Sequence, residues 1–322
     1  LKRPLITLQP CNIITCQLIY PYGGLPMITR REFLKGTGLF VTAFSSKLSF
    51  AQSGETDSRE ELSFGIVTDT HYANTDPNGT RHYRESITKM TECIELMNER
   101  KVNFLIELGD FKDQGKPASE KTTLEYLDII EKLYGHFNGP RYHVLGNHDV
   151  DSISKQQFLS HIENTGIIEK SAYYSFDLKG FHFVVLDANY KTDESDYDHG
   201  NFQWTDANIP SRQLDWLKND LAQSSNPAIV FVHQLLDVES NDGIQNAAET
   251  RQILQDSKKV IAVFQGHRHP GHYSQIEGIH YYTLKAMIEG SGEKNNSYAV
   301  VTIKNNSIII EGYRKATGRI LE

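Results

Sequence analysis

Five short apolar runs in this chain each end in side chains able to bind a divalent cation. Phe64-Gly65-Ile66-Val67 leads into Thr68-Asp69-Thr70-His71, and Phe104 to Leu108 leads into Gly109-Asp110. Val144-Leu145 precedes Gly146-Asn147-His148-Asp149. Ile229 to Val232 precedes His233, and Val263-Phe264-Gln265 precedes Gly266-His267-Arg268-His269. Carboxylate, imidazole and amide oxygen together suit borderline divalent ions such as Zn, Mn or Fe. Asp-x-His alone arises by chance, and a single strand-end histidine such as His233 has ordinary structural uses. The signal lies in the succession: five clusters in order, each behind a strand. The glycines ahead of Asp110, Asn147 and His267 are expected to let the backbone turn sharply off the strand.

Such ends meet in one place if the strands share sheets, because ligands of α/β proteins gather beyond the carboxyl ends of the strands. Between the apolar runs lie helical patterns. Residues 81–100 place Tyr83, Ile87, Met90, Ile94 and Met97 on one face. Ser119 to Tyr134 reads as a helix with Ser119 as its cap, and Arg212 to Leu221 as another, with Leu214, Leu217 and Leu221 inward. From Tyr273 to Tyr313 the chain reads as strands parted by Gly278, Gly290-Ser291-Gly292 and Asn305-Asn306. Strands alternating with helices, then a β-rich tail, describe α/β layers with mixed sheets in one domain over 63–322.

At this point the chain resembles the calcineurin-like metallophosphoesterase family, whose motifs run Asp-x-His, Gly-Asp, Gly-Asn-His-Asp/Glu, His and Gly-His-x-His. The resemblance covers residues 63–270 and implies a four-layer α-β-β-α sandwich, two mixed sheets packed face to face with helices outside. It also implies two divalent metal ions. Asp69, His71, Asp110 and His269 would hold one; Asp110, Asn147, His233 and His267 would hold the other, with Asp110 bridging. A hydroxide held between the ions would attack phosphorus in line. His148 would face the leaving-group oxygen as general acid or charge stabiliser. Its orienting partner would be Asp113, by the family's Gly-Asp-x-x-Asp pattern; Asp149 is the competing partner, or else ties the loop down.

Arg81-His82-Tyr83-Arg84 and Gly109-Asp110-Phe111-Lys112-Asp113 are similar to a subgroup that includes manganese-dependent ADP-ribose and CDP-alcohol pyrophosphatases. Arg81, Lys112 and Arg268 are therefore candidates to clamp the non-reacting part of a small phosphate ester, against a solvated helix turn for the Arg81 run. Asp193, Glu194, Asp196, Asp198 and His199 crowd one loop, expected to be a solvated lid rather than a further metal site. Phe202 and Trp204 beside it are placed between stacking on a flat substrate group and core packing, with core packing favoured for Trp204. Cys93 sits at helical spacing on an apolar face and is expected to be buried and inert.

The chain carries 33 Lys+Arg against 41 Asp+Glu. Six of the basic groups and one acid fall in residues 1–51, so the remaining 271 residues hold a net charge of −13. An acidic body is a poor partner for long nucleic acid, which demands Lys or Arg at each phosphate contact. Cys93 is the one cysteine beyond residue 51, which excludes a disulfide framework there. No run of about 18 apolar residues offers a stable membrane anchor. Residues 1–51 read as a leader. Thr29-Arg30-Arg31-Glu32-Phe33-Leu34-Lys35, a brief apolar stretch and Ser49-Phe50-Ala51 resemble a bacterial twin-arginine signal, with cleavage after Ala51. The expectation is delivery by the twin-arginine translocase to a periplasmic or extracellular site. Met27 is expected to be the true start, with residues 1–26 upstream of it, and residues 52–62 a linker.

Three functions remain open on these residues: hydrolysis of phosphate mono- or diesters, nucleotide-type pyrophosphatase or phosphodiesterase action at the same site, and metal-stabilised binding without catalysis. An intact His148 and Asp113 speak against the last, since a structural metal has no use for a poised acid.

Overall fold

The computed structural model describes residues 61–305 and 307–322. The expected leader, its twin-arginine stretch and its cleavage site lie outside the described residues. β1 (Leu62–Val67) begins one residue before the expected domain edge, inside the presumed linker.

Strand β1, β2 (Phe104–Glu107) and β3 (Arg141–His143) run parallel. The other flank of β1 is covered by β10 (Ser297–Lys304), antiparallel to it, followed by β11 (Ser307–Arg314) and β12 (Arg319–Leu321). The second sheet has the order β4 (Tyr174–Leu178), β5 (Phe181–Val185), β6 (Ala228–Val232), β7 (Val260–Gln265), β9 (Ile279–Thr283), β8 (His272–Ile276). Its four inner strands are parallel and its two edges antiparallel. Central parallel strands are covered on both faces, which is why their sequences are apolar runs and not alternations. Every residue of β6, Ala-Ile-Val-Phe-Val, is buried.

One core lies between the sheets. Phe64, Phe104, Phe183, Phe231 and Phe264 form its centre, with Phe64 and Phe104 stacked at 4.8 Å. A second core joins the first sheet to α1 (Ser86–Arg100), α2 (Glu120–Tyr134) and α3 (Lys155–His161), through Met90, Met97, Leu127, Ile130 and Phe158. The third joins the other sheet to α4 (Ser211–Gln223) and α5 (Ala247–Ser257), through Leu214, Leu217, Leu221 and Leu254. Three cores between four layers give the α-β-β-α sandwich. Ser119 caps α2 as expected, accepting from Thr122 N. Among the described residues no helix is long and apolar enough to cross a membrane.

A polar cluster interrupts the helix-side core. Glu107 and His143 are register partners on β2 and β3, and both are buried. His143 Nε2 lies 3.0 Å from Glu131 of α2, and its Nδ1 lies 3.8 Å from Glu107. Burial keeps the proton on Glu107, raising its pKa to about 8. Burial opposes charge on His143, but Glu131 and Glu107 outweigh it and lift the ring to about 9.

Candidate metal centre

The five predicted strand ends do meet. Asp69 and His71 leave β1, Asp110 leaves β2, and Asn147 and His148 follow β3. His233 follows β6, and His267 and His269 follow β7. Asp69, His71, Asp110 and His267 all hold positive φ, between 45° and 65°. Non-glycine residues rarely adopt that region, and a cluster of them is what a functional site stores. Hydrogen bonds hold the turns: Asp69 N donates to Gly109 O at 3.0 Å and His71 N to Asp110 O at 2.8 Å.

The expected reason for the three glycines holds for Gly109 alone, since Gly146 and Gly266 have no positive φ. Gly109 has φ +100° and does turn the chain. Gly146 is needed for room: a Cβ there would collide with the backbone N and carboxylate of Asp110. Close approach, not turning, is its role.

Two ligand groups form, and Asp110 lies against both. His71 Nε2 is 3.7 Å from Asp69 Oδ1 and 3.5 Å from Asp110 Oδ2, and His269 Nε2 is 3.4 Å from Asp69 Oδ1. On the other side, His233 Nε2 is 3.2 Å from Asp110 Oδ2, and His267 completes a set with both. Asp69 Oδ1, His71 Nε2, Asn147 Oδ1, His233 Nε2 and His267 Nε2 are all buried without a hydrogen-bond partner. Buried polar atoms are ordinarily paired. Five orphans of ligand type at one place fit a pair of divalent ions. His233 Nδ1 donates to Leu108 O at 2.8 Å, and His269 Nδ1 donates to Glu289 at 2.6 Å, which leaves each Nε2 lone pair for a cation.

Electrostatics agree with that use. Burial disfavours charge on Asp69, yet the His269 and His71 rings hold its carboxyl far below the usual range. Burial likewise opposes charge on His71, but Asp110 and Asp113 raise it to about 10, and Asp110 raises His233 to about 9. A cation bound between these groups would displace those protons. His267 is pushed to about 3 by burial and by His233, so it is a neutral ligand already.

His148 is 31% exposed in its side chain, lines the cavity, and turns Nδ1 inward. Nδ1 lies 3.5 Å from Asp113 Oδ2 and 3.5 Å from Asp151 Oδ2. Asp113 also stands 3.4 Å from His71 Nδ1, so one carboxylate serves both rings. Asp149 takes the loop-tying role instead: its carboxylate accepts from the backbone N of Gly146, Asp110 and Phe111. Asp151 was not foreseen, although it stands three residues after His148.

Lys112 requires correction as a substrate clamp. It is fully buried, and its Nζ donates to His148 O and to Asp151 Oδ1 at 2.8 Å. Its charge is spent fixing Asp151 beneath His148. Arg81 and Arg268 do line the cavity of about 570 Å³ over the ligands. Arg84 turns away to Asn74 and Asp76, and Tyr83 is buried. Trp204 departs from the favoured expectation of core packing. Phe202 stacks on Tyr197 at 3.9 Å, whereas Trp204 lines the cavity. In the acidic loop, Asp196 pairs with Lys155 and Glu194 accepts from Ser211, and no ligand group forms there among the described residues. Cys93 is buried, and burial raises its thiol pKa.

A sequence profile described as Calcineurin-like phosphoesterase matches residues 62–271. The chain belongs to that family. It is a metal-dependent phosphoric ester hydrolase with a dinuclear centre. Among its relatives, the manganese-dependent ADP-ribose/CDP-alcohol diphosphatase of Oryza sativa subsp. japonica is 28% identical, the match covering 72% of this chain and 85% of the relative. The protein of that name from Bos taurus is 23% identical over 82% and 95%. In fold, a dimetal phosphatase from Danio rerio superposes with a TM-score of 0.70 at 18% identity, covering 81% of this chain and 98% of that one. Glu289, which no motif marks, is a residue that sequence reasoning missed: a lone glutamate in the loop behind β9.

Proposed function

We propose that this phosphoesterase cleaves small nucleotide-type pyrophosphates, using manganese. What supports the reading is the cavity wall: beside the ligands stand two arginines, Arg81 and Arg268, and an exposed indole. A pyrophosphate joining two groups needs cations beyond the reacting phosphorus and room for a flat base. The relatives named as ADP-ribose/CDP-alcohol diphosphatases point the same way. Asp69, His71, Asp110 and His269 would hold one ion, and Asp110, Asn147, His233 and His267 the other. Bound there, the ions supply a water molecule of lowered pKa and charge to neutralise the phosphoryl oxygens. His148, oriented by Asp113 and Asp151, is placed to put a proton on the departing oxygen. Arg81 and Arg268 hold the non-reacting phosphate.

The test is a panel of ADP-ribose, bis-p-nitrophenyl phosphate and p-nitrophenyl phosphate with manganese. Release of AMP from ADP-ribose is expected to be fastest. Cleavage of the monoester with ADP-ribose untouched would overturn the reading. A Synechococcus relative named as a probable cyclic nucleotide phosphodiesterase, 24% identical over 65% of this chain and 73% of its own, makes fastest cleavage of the diester the competing outcome.

We also propose export by the twin-arginine route. Arg30-Arg31, the short apolar stretch from Gly36 to Phe44 and the small-residue site Ser49-Phe50-Ala51 support it. Replacing both arginines with lysine should hold the protein in the cytoplasmic fraction; unchanged export would remove the proposal.

A further inference from the structure

The cavity differs at its two sides. Arg81 stands on the His269 side, its backbone bridged to Glu289, the partner of His269. Trp204 stands on the other, its ring centroid 5.6 Å from that of His267 and inclined by 55°. Trp204 is 44% exposed, a value no core tryptophan reaches. By contrast Trp216 is half-buried against Tyr173 and the α4 core. The segment bearing Trp204 is held after the indole by Gln245 Nε2, which donates to Thr205 O at 2.8 Å, and before it by two contacts. Phe202 stacks on the buried Tyr197, whose hydroxyl donates to Gln203 O at 3.0 Å. These contacts leave the indole lining the cavity.

An aromatic face held in place beside a phosphate site is a surface for another flat ring. Base–aromatic stacking is tolerant of base identity, since every base has a π-face. We propose that Trp204 is the stacking platform for the base of a nucleoside 5′-phosphate moiety whose phosphate lies at the metal ligands. This inference deepens the pyrophosphatase reading and rests on it. It carries a specificity consequence: stacking reads no base edges, so adenine and cytosine nucleotides are to be accepted alike, and a sugar phosphate without a base gains nothing from Trp204.

The experiment uses the manganese-loaded protein and the fact that the chain holds two tryptophans. AMP is expected to quench tryptophan emission, and ribose 5-phosphate is not. Quenching should persist in Trp216→Phe, where Trp204 remains, and vanish in Trp204→Phe. Inhibition constants against bis-p-nitrophenyl phosphate give the second readout. Trp204→Ala should weaken AMP about tenfold and leave ribose 5-phosphate unchanged, while Trp204→Phe keeps most of the AMP affinity. If both inhibitors weaken together, or AMP fails to quench in Trp216→Phe, the platform is overturned. Failure of wild-type protein to cleave ADP-ribose would count against the pyrophosphatase reading instead, because AMP binding is measured separately from it.

Discussion

His148 lines the cavity while Asp113 and Asp151 face its inner nitrogen, and that arrangement makes a separable prediction. His148→Ala should lower kcat by roughly 10²–10⁴-fold, the usual weight of a general acid, with both ions still bound by elemental analysis. Loss of an ion would make His148 a ligand. Glu289 makes the complementary case. Its carboxylate orients His269 at 2.6 Å, so Glu289→Ala should weaken manganese binding about 10- to 100-fold by titration, with turnover recovered in excess manganese. An unaltered titration would reduce Glu289 to a loop tie. At this scale the side chains that gather at the site were legible because each sits in a short motif at a strand end. Asp151 and Glu289 were not, because their partners are fixed by folding: one meets His148 across a turn, the other meets His269 across a loop. Lys112 shows the reverse error. A lysine beside a ligand looks like a phosphate clamp until burial shows it bonded to Asp151.

Elements were readable in proportion to the apolar surface they bury. β6 and α2 stand where expected, since five consecutive buried residues and a capped periodic face are unambiguous. α5 was missed because it buries only Ala247, Thr250 and Leu254, too little for a visible period. α3 is short, yet Ser154 and Gln157 form a capping box that marks its start. β4 is a short edge strand whose burial is partial. The contact of β2, β3 and α2 at Glu107, His143 and Glu131 yields a prediction of its own. Folding raises the Glu107 pKa from the ordinary 4.5 to about 8, so the folded state binds the extra proton between those values. Stability due to this group therefore falls as pH rises from about 4.5 to 8 and is flat above. Glu107→Gln should remove that decline, gaining on the wild type across the window in denaturant titrations. A parallel pH dependence in both proteins would refute it.

Over the whole molecule, each ion would draw ligands from both sheets: Asp69, His71, Asp110 and Asn147 from one, His233, His267 and His269 from the other. Ions that bind only the folded form stabilise it, by about 2.7 kcal/mol at a hundredfold excess over Kd. Without them, His71 and His233 hold protons up to about pH 10 and 9. The stability these rings lend is complete below about 6.5 and fades as pH climbs through those values, while metal binding must displace the same protons. The rise in Tm on adding manganese should therefore be larger at pH 8.5 than at pH 6; equal shifts would contradict the assignment. The order of the first sheet has a further bearing on biogenesis. β1 lies between β2, the next strand made, and β10, which is made after every candidate ligand residue. While the ribosome is still short of Ser297, one flank of β1 is bare and the loops beyond it have no settled frame. Cation capture is thus expected to wait for β10, and a chain truncated before Ser297 should bind manganese more weakly than the full chain.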